Sequence, residues 1–214
     1  MTSVRANPGT TALTQISPSA LSTLNNISLN DLNVVKELTF SHVDDLTLLV
    51  GDIPADVEVV GFSAEGGLMP NADWTSFQSD PVTAITNFRT ALNTGTVKRR
   101  LSYATTGTVF DNQITNDDMA SIVPLIDIAA WQGQSTYRNS GEDTFVSTVK
   151  TYWQYVKSRK PSCLFNVQLF LSDVNQTAAE SISGFNRSRG YCDFGVIGGA
   201  GADDVNTILQ GLAG

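Results

Sequence analysis

Glu65 closes a run of strand-forming residues, Val57-Glu58-Val59-Val60-Gly61-Phe62, and Gly66-Gly67 follow it directly. A carboxylate is costly to bury without a partner, so one carried to the end of a buried strand beside a loop suits acid–base or nucleophilic work. His42 is the single histidine and lies just past the preceding apolar run, Val34–Phe40. A His–Glu pair at adjacent strand tips can move protons; the plainer alternative is an exposed histidine at a helix start. Cleavage of a sugar bond by two carboxylates needs a second acid near Glu65. Asp173, at the end of the apolar run 163–171, has the best position for it, ahead of Asp111 in a loop and Asp127 low in its strand.

Amides are the second class of candidate. In residues 163–171, Phe165, Val167, Leu169 and Leu171 share one face of a strand, and Asn166 and Gln168 lie on the other. In residues 126–134, Gln132 and Gln134 share a side with Ile128 and Ala130, the polar pair toward the C-terminal end. Val59, Gly61, Ser63 and Glu65 form the corresponding face of residues 57–64. Three strands thus turn polar groups toward one interior, while their opposite faces suit packing by helices. A strand buried on both sides of an open sheet would be apolar throughout, so the pattern favours a barrel whose lumen is polar toward the top. The same amides also serve a purely structural network, each satisfying a neighbour.

The elements that must position these groups alternate. Strands are expected at Val34–Phe40 and at 57–64, 98–105, 126–134, 163–171 and 192–197. Helices are expected from a Ser41 cap to about 50, at Pro81–Asn93 behind the Asp80 cap, from Asn116, and at 142–160, 176–189 and 202–212. Strand–helix alternation with short connections means parallel strands. An eight-unit barrel takes about 250 residues. A chain of 214 residues therefore points to an α/β fold of TIM-like barrel type that is reduced or irregular, or completed by the N-terminal arm. Residues 1–30 read as that arm, largely irregular with one short element near residues 20–24, and residues 31–214 as the barrel domain.

The totals narrow the partners. A formal net charge of -8 gives no broad footprint for nucleic acid, and Lys98-Arg99-Arg100 reads as a solvated strand end. No stretch of 18 apolar residues suits a membrane span, and the N-terminal residues lack the apolar region of a signal peptide. The compartment, cytoplasmic or secreted, and the oligomeric state stay open. One histidine and two separated cysteines make no zinc site of the usual kind, and no cofactor motif stands out. Gly198-Gly199-Ala200-Gly201 can offer N–H groups to phosphate, but Asp203 and Asp204 oppose an anion there. Cys163 and Cys192 open neighbouring strands at equivalent positions, compatible with a disulfide or with two buried thiols.

The segments VEVVGFSAEGG, DPVTAITNFRTAL, IDIAAWQGQS and CLFNVQLFLS, in that order, resemble a group of uncharacterised glycoside-hydrolase-like TIM barrels. There a Gly-Tyr/Phe-x-x-Glu strand end precedes an Asp-Pro helix, and a Gln-x-Gln strand end follows two units later. The resemblance covers about residues 34–214. It implies a TIM-like barrel with Glu65, Gln132 and Gln134 at its top, and no established reaction. The functional expectation is a hydrolase-like barrel acting on, or binding, a carbohydrate or similar polyhydroxylated ligand at the C-terminal face. Glu65, Asp173 and His42 would be its catalytic groups. Gln132, Gln134, Gln168, Asn166 and Tyr103 would orient the ligand. The alternative is a non-catalytic barrel used for binding or assembly.

Overall fold

Seven short segments, three of them only five residues long, find their hydrogen-bond partners in one another rather than in any local pairing. The computed structural model describes residues 2–6, 15–25, 34–64, 71–106, 116–170 and 178–198, with 207, 210 and 211. Among these the strands are β1 (Thr2–Ala6), β2 (Val34–Phe40), β3 (Val59–Ala64), β4 (Arg100–Thr106), β5 (Ile128–Gln132), β6 (Leu164–Phe170) and β7 (Phe194–Gly198). Each pairs in parallel with the next, and β1 pairs with β7 as well as β2, so the sheet closes into a barrel. The helices are α1 (Pro18–Asn25), α2 (Val43–Leu49), α3 (Asn71–Ser79), α4 (Pro81–Asn93), α5 (Asn116–Ile122), α6 (Gln134–Arg159) and α7 (Ala178–Ser188).

The TIM-like α/β barrel expected from the alternation is therefore the fold, and the N-terminal arm completes it. Thr2–Ala6 lies between β2 and β7, and α1 buries Ala20 and Leu24. The expected helix at 202–212 falls largely outside the described residues.

Local chemistry explains where the elements differ from expectation. Asp80 caps α4 by accepting from the Thr83 N–H at 3.0 Å, with Pro81 in the first turn, and Ile85, Phe88 and Leu92 face inward at helical spacing. Ser41 does not cap α2. It is buried at the end of β2, and the cap position falls to His42, whose backbone is extended and whose side chain makes no cap bond. Gln134 is not a strand residue. β5 ends at Gln132, Gly133 takes the cap position, and Gln134 opens α6. The ring of Trp131 lies so close over Gly133 that a Cβ there would stand 2.4 Å from it, so this cap position suits glycine. α6 then breaks at Gly141, with φ 80°, a conformation open to glycine. The helix expected from residue 142 is its second segment. α3 had no sequence expectation.

The main core lies between sheet and helices. Phe62, Tyr103, Trp131, Phe165 and Val167 point outward from the strands and meet Phe77, Phe88, Phe145, Val149 and Val156. Each such side chain contributes roughly 1.5–3 kcal/mol by leaving water. A second, smaller cluster of Val35, Val59 and Ile128, with Leu164 against it, floors the lumen.

The N-terminal rim of the strands is tied by charged side chains. Asp127, just ahead of β5, accepts from the Leu101 N–H at 2.9 Å and from Arg89 of α4 at 2.8 Å. Asp193, just ahead of β7, repeats the arrangement with the Phe165 N–H at 2.7 Å and Lys157 of α6 at 2.8 Å. Arg99 is buried rather than a solvated strand end: it donates to the carbonyls of Ile53 at 2.8 Å, Val57 at 3.1 Å and Pro54 at 3.2 Å. Cys163 and Cys192 are free, buried thiols. Burial pushes them up to about 11 and about 12, so they remain protonated and inert at neutral pH.

Candidate functional site

Alternation along parallel strands decides which side chains fill the lumen. β2 supplies Val35, Glu37 and Thr39; β3 Val59, Gly61 and Ser63; β4 Ser102; β5 Ile128, Ala130 and Gln132; β6 Leu164, Asn166 and Gln168. The register sets Thr39 beside Gly61, Gly61 beside Ser102, Ala130 beside Asn166, and Gln132 beside Gln168. Above the apolar floor the lumen thus carries a polar layer whose small residues, Gly61 and Ala130, stand next to Ser102 and Asn166.

Glu37 has no solvent exposure, and its carboxylate accepts the Thr39 hydroxyl at 3.3 Å. Gly61 makes room for this pair: a Cβ there would lie 2.6 Å from both Glu37 Oε1 and Thr39 Oγ1. Gln132 and Gln168 are also engaged by neighbours. Asn166 is different. It is fully buried, and neither its Oδ1 nor its Nδ2 has a hydrogen-bond partner among the described residues; the same holds for Ser102 Oγ. Buried polar atoms are nearly always paired, and each exception calls for a reason.

The structure brings three of the expected residues, Gln132, Asn166 and Gln168, to this one lumen layer. Gln134 leaves it by opening α6. Tyr103 stands on the opposite face of β4, among Phe62 and Phe77, where burial drives its phenol well above the ordinary value. It therefore packs the helix layer instead of facing a ligand in the lumen. His42 sits at the junction of β2 and α2 and lines a cavity outside the barrel wall. Asp127 belongs to the N-terminal rim. Glu65 and Asp173 lie outside the described residues, as do Asp111 and the glycine loop beyond Gly198. Sequence reasoning passed over Glu37 and Ser102. The signal was present in β2, where Val35, Glu37 and Thr39 alternate with Leu38 and Phe40 and place a carboxylate on the lumen face. Among the described residues no group of three His, Cys, Asp or Glu side chains is arranged to hold a metal, and no helix is long and apolar enough to cross a membrane.

A solved structure of similar form is the tryptophan synthase alpha subunit from Legionella pneumophila str. Paris. The TM-score is 0.51 at 10% identity, covering 100% of this chain and 92% of that one. At that identity the likeness shows the fold alone. That neighbour is a TIM barrel but not a glycoside hydrolase, and it corrects the resemblance drawn from the sequence: the barrel stands and the family does not. The motifs behind the resemblance, a glutamate at one strand end and spaced glutamines at another, belong to barrel tops of many chemistries. One of them, the Gln-x-Gln pair, is split here between a strand and a helix. No family model matches the sequence, and no curated protein is similar to it.

Proposed function

We propose that the polar layer above the lumen floor binds a small polyhydroxylated molecule, a sugar or similar compound, entering from the C-terminal ends of the strands. The supporting observation is Asn166, a wholly buried amide with both polar atoms unmatched among the described residues. Leaving such a group unpaired costs about 1–3 kcal/mol. A ligand with neighbouring hydroxyls removes that cost, because an amide donates through nitrogen and accepts through oxygen, as a diol does in reverse. Ser102 offers a further hydroxyl and Glu37 an acceptor, with Gln132 and Gln168 on the wall nearer the mouth. In this reading Glu65 and Asp173, at strand ends in the sequence, are groups for acting on a bound ligand.

A second reading has the layer as a structural network of a non-catalytic barrel, favoured by the Thr39–Glu37 bond and by the engagement of Gln132 and Gln168. A thermal-shift screen with neutral sugars and polyols on wild type and Asn166→Leu separates the two. Ligand reading: at least one compound raises the wild-type melting temperature by mass action and fails to do so in the variant. Network reading: no compound shifts either protein.

A further inference from the structure

Outside the barrel wall, at the N-terminal ends of α2 and α4, Ser41, His42, Asp44, Phe62, Phe77 and Asp80 surround a cavity of about 320 Å³. None of the lumen residues Glu37, Asn166 and Gln168 lines it. Its volume lies in the range of small-molecule sites. Its base is aromatic: Phe62 and Phe77 meet edge to face with centroids 5.7 Å apart, and Trp74 stacks on Phe77 from behind. Its charged lining is acidic, Asp44 and Asp80, with no Lys or Arg among the lining residues. Hydrogen bonding from Thr83 holds the Asp80 carboxyl below its usual range, so it stays ionised. The helix ends contribute roughly half a positive charge each, which two full carboxylates exceed.

A second observation points to a ligand. Ser41 is 2% exposed, and its Oγ has no partner among the described residues. An aromatic base, an acidic rim and an unmatched hydroxyl together match one chemical class. Such a ligand carries a protonated amine to donate to oxygen and an apolar body to lie on the rings, where cation–π attraction adds to burial. We propose that this cavity binds a small organic ammonium ion with an apolar body.

The test is titration of the full chain with 2-phenylethylammonium, with 2-phenylethanol and phenylacetate as neutral and anionic counterparts, followed by calorimetry and by amide shifts in NMR spectra. Saturable binding of the amine is expected, about tenfold or more tighter than the alcohol, with none of the acid. Asp80→Asn keeps the α4 cap, since Asn caps as well as Asp, and is expected to weaken the amine about tenfold. Ala84→Leu, which fills the cavity from its wall, abolishes binding, while Asn166→Leu in the lumen leaves it unchanged. An amine no tighter than its alcohol overturns the proposal. So does an Asp80→Asn protein that is folded by circular dichroism and retains full affinity.

Discussion

At the N-terminal rim, Asp127 takes hydrogen bonds from the Leu101 N–H and from Arg89, and Asp193 takes the equivalent pair from the Phe165 N–H and Lys157. In the lumen above, Asn166 and Ser102 hold polar atoms that no described residue meets. At the rim, where Asp127 is half-buried and Asp193 exposed, both carboxylates are paired; in the buried lumen Glu37, Gln132 and Gln168 are engaged but Asn166 and Ser102 are not. In barrels of this kind the bottom face is given to stability and the top to binding or chemistry. The rim follows the first rule: each carboxylate ties a strand N–H to a helix cation, and the same device occurs twice, at β5 and at β7. The lumen departs from it in the way a site does, giving up pairing that an apolar side chain would have made unnecessary.

Breaking the rim gives the largest expected effect. Arg99→Ala strips the carbonyls of Ile53, Pro54 and Val57 of their charged donor and is expected to cost about 3 kcal/mol in urea unfolding. Next is Gly61→Ala, whose added Cβ drives Glu37 and Thr39 apart. A loss of about 1–3 kcal/mol is expected from the displaced neighbours, together with loss of any sugar-induced rise in melting temperature. Asp193→Asn retains an acceptor for Phe165 but weakens the Lys157 pair, a smaller loss of about 1 kcal/mol by the same assay. The smallest effect is on pH. Both thiols have folded values raised above their ordinary 9.0. Between pH 9 and the folded values the unfolded chain has released protons that the folded chain keeps, so stability falls as pH rises there. Cys163→Ala with Cys192→Ala should flatten melting temperature against pH above 9; an unchanged slope would assign the fall to other groups.

The same comparison explains what the sequence disclosed. Asp80-Pro81 announces α4 because cap and proline act within one turn. Asn166, Gln168 and Gln132 announce the polar lumen because alternation along a strand is local. Closure by Thr2–Ala6 is not local: TSVRA is a strand because β2 and β7 stand on either side of it. The placing of Gln134 depends on where β5 stops and α6 begins, and that of Tyr103 on which face of β4 the helices cover. Glu37 was legible in the alternation of β2, but whether a buried carboxylate has a partner is a property of the assembled lumen. The unmet atoms of Asn166 are another such property, since an amide ladder and an open amide read alike in one dimension.

A polar layer kept for a ligand and not for stability leaves Asn166 a cost to the empty fold. Urea unfolding of wild type and Asn166→Leu, without added ligand, tests it most directly. Replacing an unpaired buried amide with an apolar side chain of similar shape is expected to stabilise the protein by about 1–3 kcal/mol, with the urea slope unchanged. A variant less stable than wild type by a similar amount would show that Asn166 is paired within the fold, and would contradict the account.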